Sequence, residues 1–407
     1  MPQAEPELQR PKTVVGDLRI FGGQPAFAEK LHVGRPNIGD PHRFTARVSD
    51  ILERKWLTNN GPYVDEFEKR IVDLTGVKHC IAICNATIAL EIAIRALGLT
   101  GEVIVPSFTF VATAHALQWQ GITPVFCDID PQTHGIDPEK IETLISPRTT
   151  GIIAVNLWGN HCEVARLEEI AERRGLKLLF DSAHALGCSY QGRMIGGFGN
   201  AEVFSFHATK FVNTFEGGAI VTNDDDLARA VRLMQNFGFI SYDQIAGVGT
   251  NGKMSEISAA MGLTNLESMA EFIAINSRHY KQYAKELSNL SGVTVLPNDE
   301  EEKSNYQYVV LEIDSTQTKV SRDALMQILH HENVLARRYF YPGCHRMKPY
   351  NLREHTLPET ERVSERVLSL PTGTSITPAD ISIICGIIRL VVNHGQEVSE
   401  KLRTEKS

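Results

Sequence analysis

The chain has 407 residues, of which 42% are hydrophobic and 22% charged, values of an ordinary globular protein that exclude disordered and fibrous classes. Its net charge of −8 gives no electrostatic reason to bind nucleic acid or an acidic membrane. The 7 cysteines are odd in number, form no CxxC and sit mostly in apolar runs, which predicts buried reduced thiols of a cytoplasmic protein.

The first 25 residues read as an N-terminal arm, and "MPQAEPELQRPK" has no apolar stretch that would make it a signal peptide. From there to about residue 270 short apolar runs alternate with helical patterns. The expected strands are "CIAIC" (80–84), "EVIVP" (102–106), "TPVFCD" (123–128), "GIIAV" (151–155), "LKLLFD" (176–181) and "EVFSF" (202–206). Helical patterns lie between them at 86–97, 109–120, 137–145 and 163–174. Apolar runs of this kind suit strands covered on both faces, so residues 26–270 are expected to form a large α/β domain around a mainly parallel sheet. Residues 103–127 carry no Asp, Glu, Lys or Arg, but Pro106 and Pro124 and many polar residues mark buried strand–helix–strand rather than a membrane span.

Residues 271–395 read as a smaller α+β domain. Helices are expected around 271–290, 321–332, 358–369 and from Pro378 to Val392, with a β-like run "YQYVVLEI" at 306–313. Residues 396–407 are charged and read as a frayed tail.

In open parallel sheets ligands gather at the carboxyl ends of strands, so the residues just past each strand carry the functional signal. Past "CIAIC", Asn85 caps a helix whose first turn, Ala86, Thr87 and Ile88, offers free N–H groups and a hydroxyl to an anion. Past "EVIVP", Phe108 or Phe110 could stack on a planar ring. Asp181 ends an apolar strand, where a buried carboxylate needs a cationic partner, and His184 follows three residues on. Past "EVFSF" stands Lys210, among Phe204, Phe206, Phe211 and Phe215. A lysine in apolar surroundings has a lowered pKa and becomes nucleophilic, as Schiff-base chemistry requires. Ser205 lies five residues before it, and Gly217 and Gly218 allow tight packing behind the loop. A phosphate cradle, a ring platform, an Asp for a pyridinium nitrogen and a Ser with a Lys are the parts a pyridoxal phosphate enzyme needs. "GVGTNG" (247–252) matches a dinucleotide fingerprint but follows no buried strand, and no HxxxH or HExxH spacing suggests a metal.

The segments "NATIALEIAIRALGL", "EVIVPSFTFVATAHA", "PVFCDID", "DSAHALG", "SFHATKFVNTFEGGAIVTND" and "GTNGKMSEISAAMGL" resemble the DegT/DnrJ/StrS family of sugar aminotransferases, over about residues 30–375. The resemblance implies a fold type I pyridoxal phosphate-dependent transferase that aminates keto sugars carried on a nucleotide. It places the coenzyme-bearing lysine on Lys210 and the pyridine-nitrogen carboxylate on Asp181. It places His184 beside the ring hydroxyl, Phe110 on the ring face, and phosphate contacts on Thr87, the Ile88 amide and Ser205. It implies a homodimer with shared active sites, in which Asn251 is supplied by the second subunit. "LTNNGPYVDEFE" (57–68) and "RRYFYPGCHRMKPY" (337–350) match segments lining the sugar-nucleotide pocket, making Asn59, Tyr339 and His345 substrate-binding candidates.

Departures from the family pattern are "NATIAL" for "NGTSAL", which leaves Ile88 only its backbone, and "NLWGNH" (156–161) for "HLYG". The segment "FVNTFEGGA" is closer to members acting at C4 ("GEGGA") than to those acting at C3 ("GDAGA"), which singles out Glu216. The expected reaction is amination of C4 of dTDP-4-keto-6-deoxyglucose, with L-glutamate as donor. The alternatives are a sugar dehydratase, whose members replace the lysine by histidine, and a non-catalytic regulator, which would need a DNA-binding segment that the chain does not carry.

Overall fold

A computed structural model describes residues 11–351 and 356–404. Seven strands form the central sheet: β1 (His79–Ile83), β2 (Glu102–Pro106), β3 (Thr123–Cys127), β4 (Thr149–Val155), β5 (Lys177–Asp181), β6 (Ala201–Ser205) and β7 (Gly218–Thr222). Their order is β1-β7-β6-β5-β4-β2-β3. All neighbours run parallel except β7, which is antiparallel to both β1 and β6. Six of these strands are the expected ones, within two residues at either end. The seventh, β7, is not among the expected strands, and its identity comes from pairing with residues 79–83 and 202–205.

Both faces of the sheet are covered, which is why its strands are largely apolar. Helices Ala86–Ala96, Ala112–Gln118 and Asp225–Gln235 bury Leu90, Ile94, Leu117 and Val231 on one face. Helices Pro62–Thr75, Val164–Arg174 and Glu256–Glu267 bury Phe67, Ile71, Leu167 and Leu263 on the other.

A second core gathers around a three-stranded antiparallel sheet, β8 (Val293–Val295), β9 (Val309–Ile313) and β10 (Val367–Leu370), with helices Met269–Leu287, Arg322–His331 and Pro378–Asn393. Two expectations fail here. The helix expected over 358–369 stops at Arg366, because the apolar run Val367–Leu370 finds backbone partners in Val309–Glu312. The tail does not fray over its described part: Gly395–Thr404 is a helix, and Val398 is buried in the second core. The described part of the arm and the residues after it are docked. Val15, Leu18, Ala26, Phe27 and Leu31 pack into the second core, and Leu31–His32 pairs parallel with Val334–Leu335. The buried Glu332 fastens this segment by accepting from the N–H groups of Arg19 (2.6 Å) and Ala26 (2.7 Å) and pairing with Lys12 at 3.3 Å. Residues 1–10 and 405–407 lie outside the described residues.

All seven cysteines are unpaired, and six are buried. No single helix among the described residues is long and apolar enough to cross a membrane. Pro378–Asn393 and Gly395–Thr404 reach that length only together, across an 83° bend.

Candidate active site

A cavity of about 570 Å³ opens at the carboxyl ends of the central strands, under the segment 337–340. Strand alternation decides which side chains reach it. Asp181 shares the face of Leu179, and Ser205 that of Val203, so both point to the side that carries helix Ala86–Ala96.

The helix start forms one wall. Asn85 caps it by accepting from the Ile88 N–H at 2.9 Å, which leaves the N–H groups of Ala86 and Thr87 without an acceptor among the described residues. Those amides and the partial positive charge of the helix end suit a phosphate. Gly218 makes the wall possible: a Cβ there would lie 2.7 Å from the Ala86 nitrogen, so the start of β7 passes directly beneath the helix only because residue 218 is glycine.

On the floor, Asp181 is buried and accepts from the Thr113 hydroxyl at 2.8 Å and from the Ala183 N–H at 3.2 Å. Burial raises its pKa, opposed by these bonds and by the Lys210 charge. The main chain beneath it is held by a buried network. Asn156 N–H donates to the Asp181 carbonyl (3.0 Å), its side chain donates to Ser182 Oγ (2.9 Å), and Ser182 donates to Glu202. Glu202 also accepts from Gly196 and Phe198 N–H groups, and burial pushes its carboxyl up to about 7.

Lys210 stands in the loop between β6 and β7. Phe206 closes that loop, donating its N–H to the Gly217 carbonyl (2.9 Å) and accepting from the Thr214 N–H (2.8 Å), while its ring sits edge-on to Phe67. Lys210 N–H donates to the His207 carbonyl at 2.8 Å, and the buried Phe211 and Val212 pin the chain just beyond. The half-buried lysine lines the cavity. Burial brings its pKa down to about 8 despite the opposing pull of Asp181, so a substantial share of the amine is neutral near physiological pH.

Phe110 lies over the cavity with 57% of its surface exposed, tilted against Phe340, whereas Phe108 is core. His184 lines the cavity, and burial, then the Lys210 charge, hold its pKa well below the usual histidine range.

A buried carboxylate with only neutral donors facing a nucleophilic amine, a free helix start and an exposed aromatic platform fit pyridoxal phosphate. The chain matches the DegT/DnrJ/EryC1/StrS aminotransferase family over residues 40–389. It belongs to that family. The dTDP-4-amino-4,6-dideoxy-D-glucose transaminase of Shigella dysenteriae is 37% identical over 361 residues, 88% of this chain and 98% of that one. GDP-perosamine synthase of Caulobacter vibrioides is 36% identical, covering 85% and 94%. The crystal structure of DesI in the presence of its TDP-sugar product superposes with a TM-score of 0.93 at 49% identity, over 96% of this chain and all of that one. The fold is accordingly that of the pyridoxal phosphate-dependent aminotransferases.

Within this DegT/DnrJ/EryC1/StrS protein the cavity brings together Thr87, Ile88, Phe110, Asp181, His184, Ser205, Lys210, Glu216 and Tyr339. The Ile88 amide, expected to face a phosphate, is already taken by Asn85. Three expected residues do not line the cavity of the single chain. Asn59 and Asn251 are exposed away from it. His345 is buried elsewhere: its Nδ1 is 2.6 Å from Ser107 Oγ, and its Nε2 is 3.3 Å from Glu361. It joins the loop after β2 to the segment that roofs the cavity, so it is not positioned to touch a substrate.

Sequence reasoning missed Thr113, Tyr308 and Arg337. Arg337 lines the cavity and has no acidic partner among the described residues. Its neighbours are neutralised: Arg338 by Asp323, Arg346 by Glu361 and Arg362 by Glu312. Main-chain bonds to Ser369 in both directions (3.0 and 2.8 Å) hold Arg337, and its guanidinium lies 5.4 Å from the centre of the Tyr339 ring.

Proposed function

We propose that the protein transfers the amino group of L-glutamate to C4 of a 4-keto-6-deoxyhexose carried on dTDP, with pyridoxal phosphate held at Lys210. The observation that carries this reading is the depressed Lys210 amine and the buried Asp181 carboxylate facing one cavity. The choice of sugar nucleotide rests on the Shigella transaminase and on DesI.

When bound, pyridoxal phosphate supplies an electron sink and the carbonyl that takes up and returns the amino group. The protein does the rest. Asp181, steadied by Thr113 and the Ala183 N–H, holds negative charge opposite a ring nitrogen. The Ala86 and Thr87 amides and the Thr87 and Ser205 hydroxyls hold the phosphate. Phe110 covers the ring face. Lys210 Nζ, neutral for part of the time, accepts and returns the proton at the reacting carbon. Arg337 supplies the charge for the donor's carboxylate, because a guanidinium fork suits two carboxylate oxygens. Glu216 projects into the cavity mouth and bears on which keto carbon reaches the amine.

The working unit in this reading is a cytoplasmic homodimer. Phe237, Phe239, Ile240, Ile245 and Val248 are exposed on the segment that leads to Asn251. A second copy packed there covers an apolar patch and delivers Asn251 to the neighbouring cavity.

The test offers the coenzyme-loaded protein glutamate with dTDP-4-keto-6-deoxyglucose, its 3-keto isomer and a GDP-linked 4-keto-6-deoxyhexose, and locates the new nitrogen by NMR. Turnover of the 3-keto sugar alone defeats the C4 assignment. Preference for the GDP sugar defeats the dTDP assignment. No 2-oxoglutarate with any of them defeats the aminotransferase reading.

A further inference from the structure

Trp158 is buried and takes a left-handed backbone, φ 57° and ψ 14°, a conformation unfavourable for a non-glycine residue. The following Gly159 continues the turn at φ 92°, where a Cβ would come within 3.1 Å of Asn305 Oδ1. The turn has an identifiable product: the Trp158 N–H points at His184 Nδ1, 3.1 Å away. A main-chain amide only donates. Nδ1 must therefore accept, and the single proton of a neutral imidazole is left on Nε2.

The remaining surroundings hold the ring still. It lies parallel to Phe340 (8° between planes, centroids 6.1 Å apart) and against Tyr308 at 4.7 Å. The His184 carbonyl accepts from Asn305 Nδ2 at 2.8 Å, and the same amide group also donates to the Leu186 carbonyl at 3.0 Å. With Nδ1 used and the ring set against Tyr308 and Phe340, the Nε2–H edge is what His184 has left for the cavity it lines.

We propose that Trp158 is a positioning residue whose main-chain N–H locks His184 as the Nε2–H tautomer, making it a neutral hydrogen-bond donor toward an oxygen on the bound ring. The identity of that oxygen, the ring hydroxyl oxygen of pyridoxal phosphate, rests on the function proposed above; the tautomer does not. A neutral donor has a clear advantage over an imidazolium in this place: it stabilises negative charge on oxygen without setting a second buried cation beside Lys210. His184 and Asp181, three residues apart, then act on the ring with opposite polarity. One favours an ionised oxygen, and the other a protonated nitrogen.

The tautomer is measured on coenzyme-free protein labelled with ¹⁵N-histidine, with the His184 signal identified by its loss in His184→Gln. The expected long-range ¹H–¹⁵N pattern has an unprotonated Nδ1 and a protonated Nε2, unchanged from about pH 6 to about pH 9, while exposed histidines titrate. A proton on Nδ1, or titration within that range, overturns the proposal. Trp158→Gly keeps the N–H and tolerates the left-handed backbone, so the pattern should persist; a flipped tautomer there would assign its control to the indole and overturn the role of the amide. In coenzyme-loaded protein, His184→Leu should raise the pH at which the bound coenzyme's absorbance changes by about one unit or more. His184→Gln, which can still donate, should leave it within about half a unit. An unmoved midpoint in His184→Leu overturns the donor role. None of these readouts needs turnover, so failure of the aminotransferase assignment is seen separately.

Discussion

The Thr113 hydroxyl donates to Asp181 Oδ2 at 2.8 Å, from the first turn of helix Ala112–Gln118 to the last residue of β5. Thr109 Oγ1 lies 3.1 Å behind it, so the hydroxyl is itself oriented. The bond fixes one oxygen of a carboxylate that burial would otherwise push toward its neutral form.

Thr113→Val preserves the shape and removes that bond. A hydrogen bond to a charged group contributes about 1.5–3 kcal/mol. The variant should bind pyridoxal phosphate roughly 10- to 100-fold more weakly by absorbance titration. Unchanged affinity would mean that Asp181 does not hold the ring nitrogen as proposed.

Lys210→Met should abolish turnover and stabilise the coenzyme-free protein. The Lys210 pKa is brought down to about 8 in the folded state, against an ordinary value of about 10.4. Between the two values the unfolded chain holds a proton that the folded chain has released, so stability rises with pH across that window. Below about pH 8 the folded protein carries the full cost of the buried charge, on the order of 1–3 kcal/mol after allowance for its contact with solvent in the cavity. The gain in Tm should therefore be largest near pH 7 and shrink toward pH 10. A gain independent of pH would point to packing instead.

Arg337→Gln separates the two halves of the reaction. Loss of a charge-assisted pair should weaken the glutamate half-reaction roughly 10- to 100-fold in apparent affinity. The half-reaction with the sugar nucleotide, started from the pyridoxamine phosphate form, should change by less than about threefold. Loss confined to the sugar half would place a diphosphate, rather than a carboxylate, on this guanidinium.

Shared active sites predict complementation. Lys210→Ala and Asn251→Ala homodimers should each be inactive, and a verified heterodimer should recover part of the activity, because one of its two sites is intact. Absence of recovery would confine each site to one chain.

What could be read from the sequence follows the range of the interactions. Asp181 and Ser205 end strands whose apolar runs are visible locally, and Lys210 sits in a short loop between such strands. Their convergence on one cavity follows from a parallel sheet. Thr113 escaped notice because its partner is 68 residues away and nothing in "FVATAHA" marks the hydroxyl. Arg337 was hidden beside Arg338, Arg346 and Arg362 until the structure paired those three with carboxylates. His345 was misplaced for the converse reason: the Ser107 carbonyl accepts from the Cys344 N–H, and Ser107 Oγ accepts from the His345 N–H, which draws the ring away from the cavity into a buried contact 238 residues distant. The helical reading of 358–369 failed because strand pairing with Val309–Glu312 overrides local pattern.

The grip of Glu332 on the N–H groups of Arg19 and Ala26 bears on how the chain is made. The first of these contacts spans 313 residues, so the amino-terminal segment leaves the ribosome long before its seat exists. During that interval Val15, Leu18 and Phe27 have no core to enter, and the large sheet can assemble without them. The segment from Val15 to Leu31 is thus made before the core it enters, and its docking belongs to the closing step of assembly rather than the opening one.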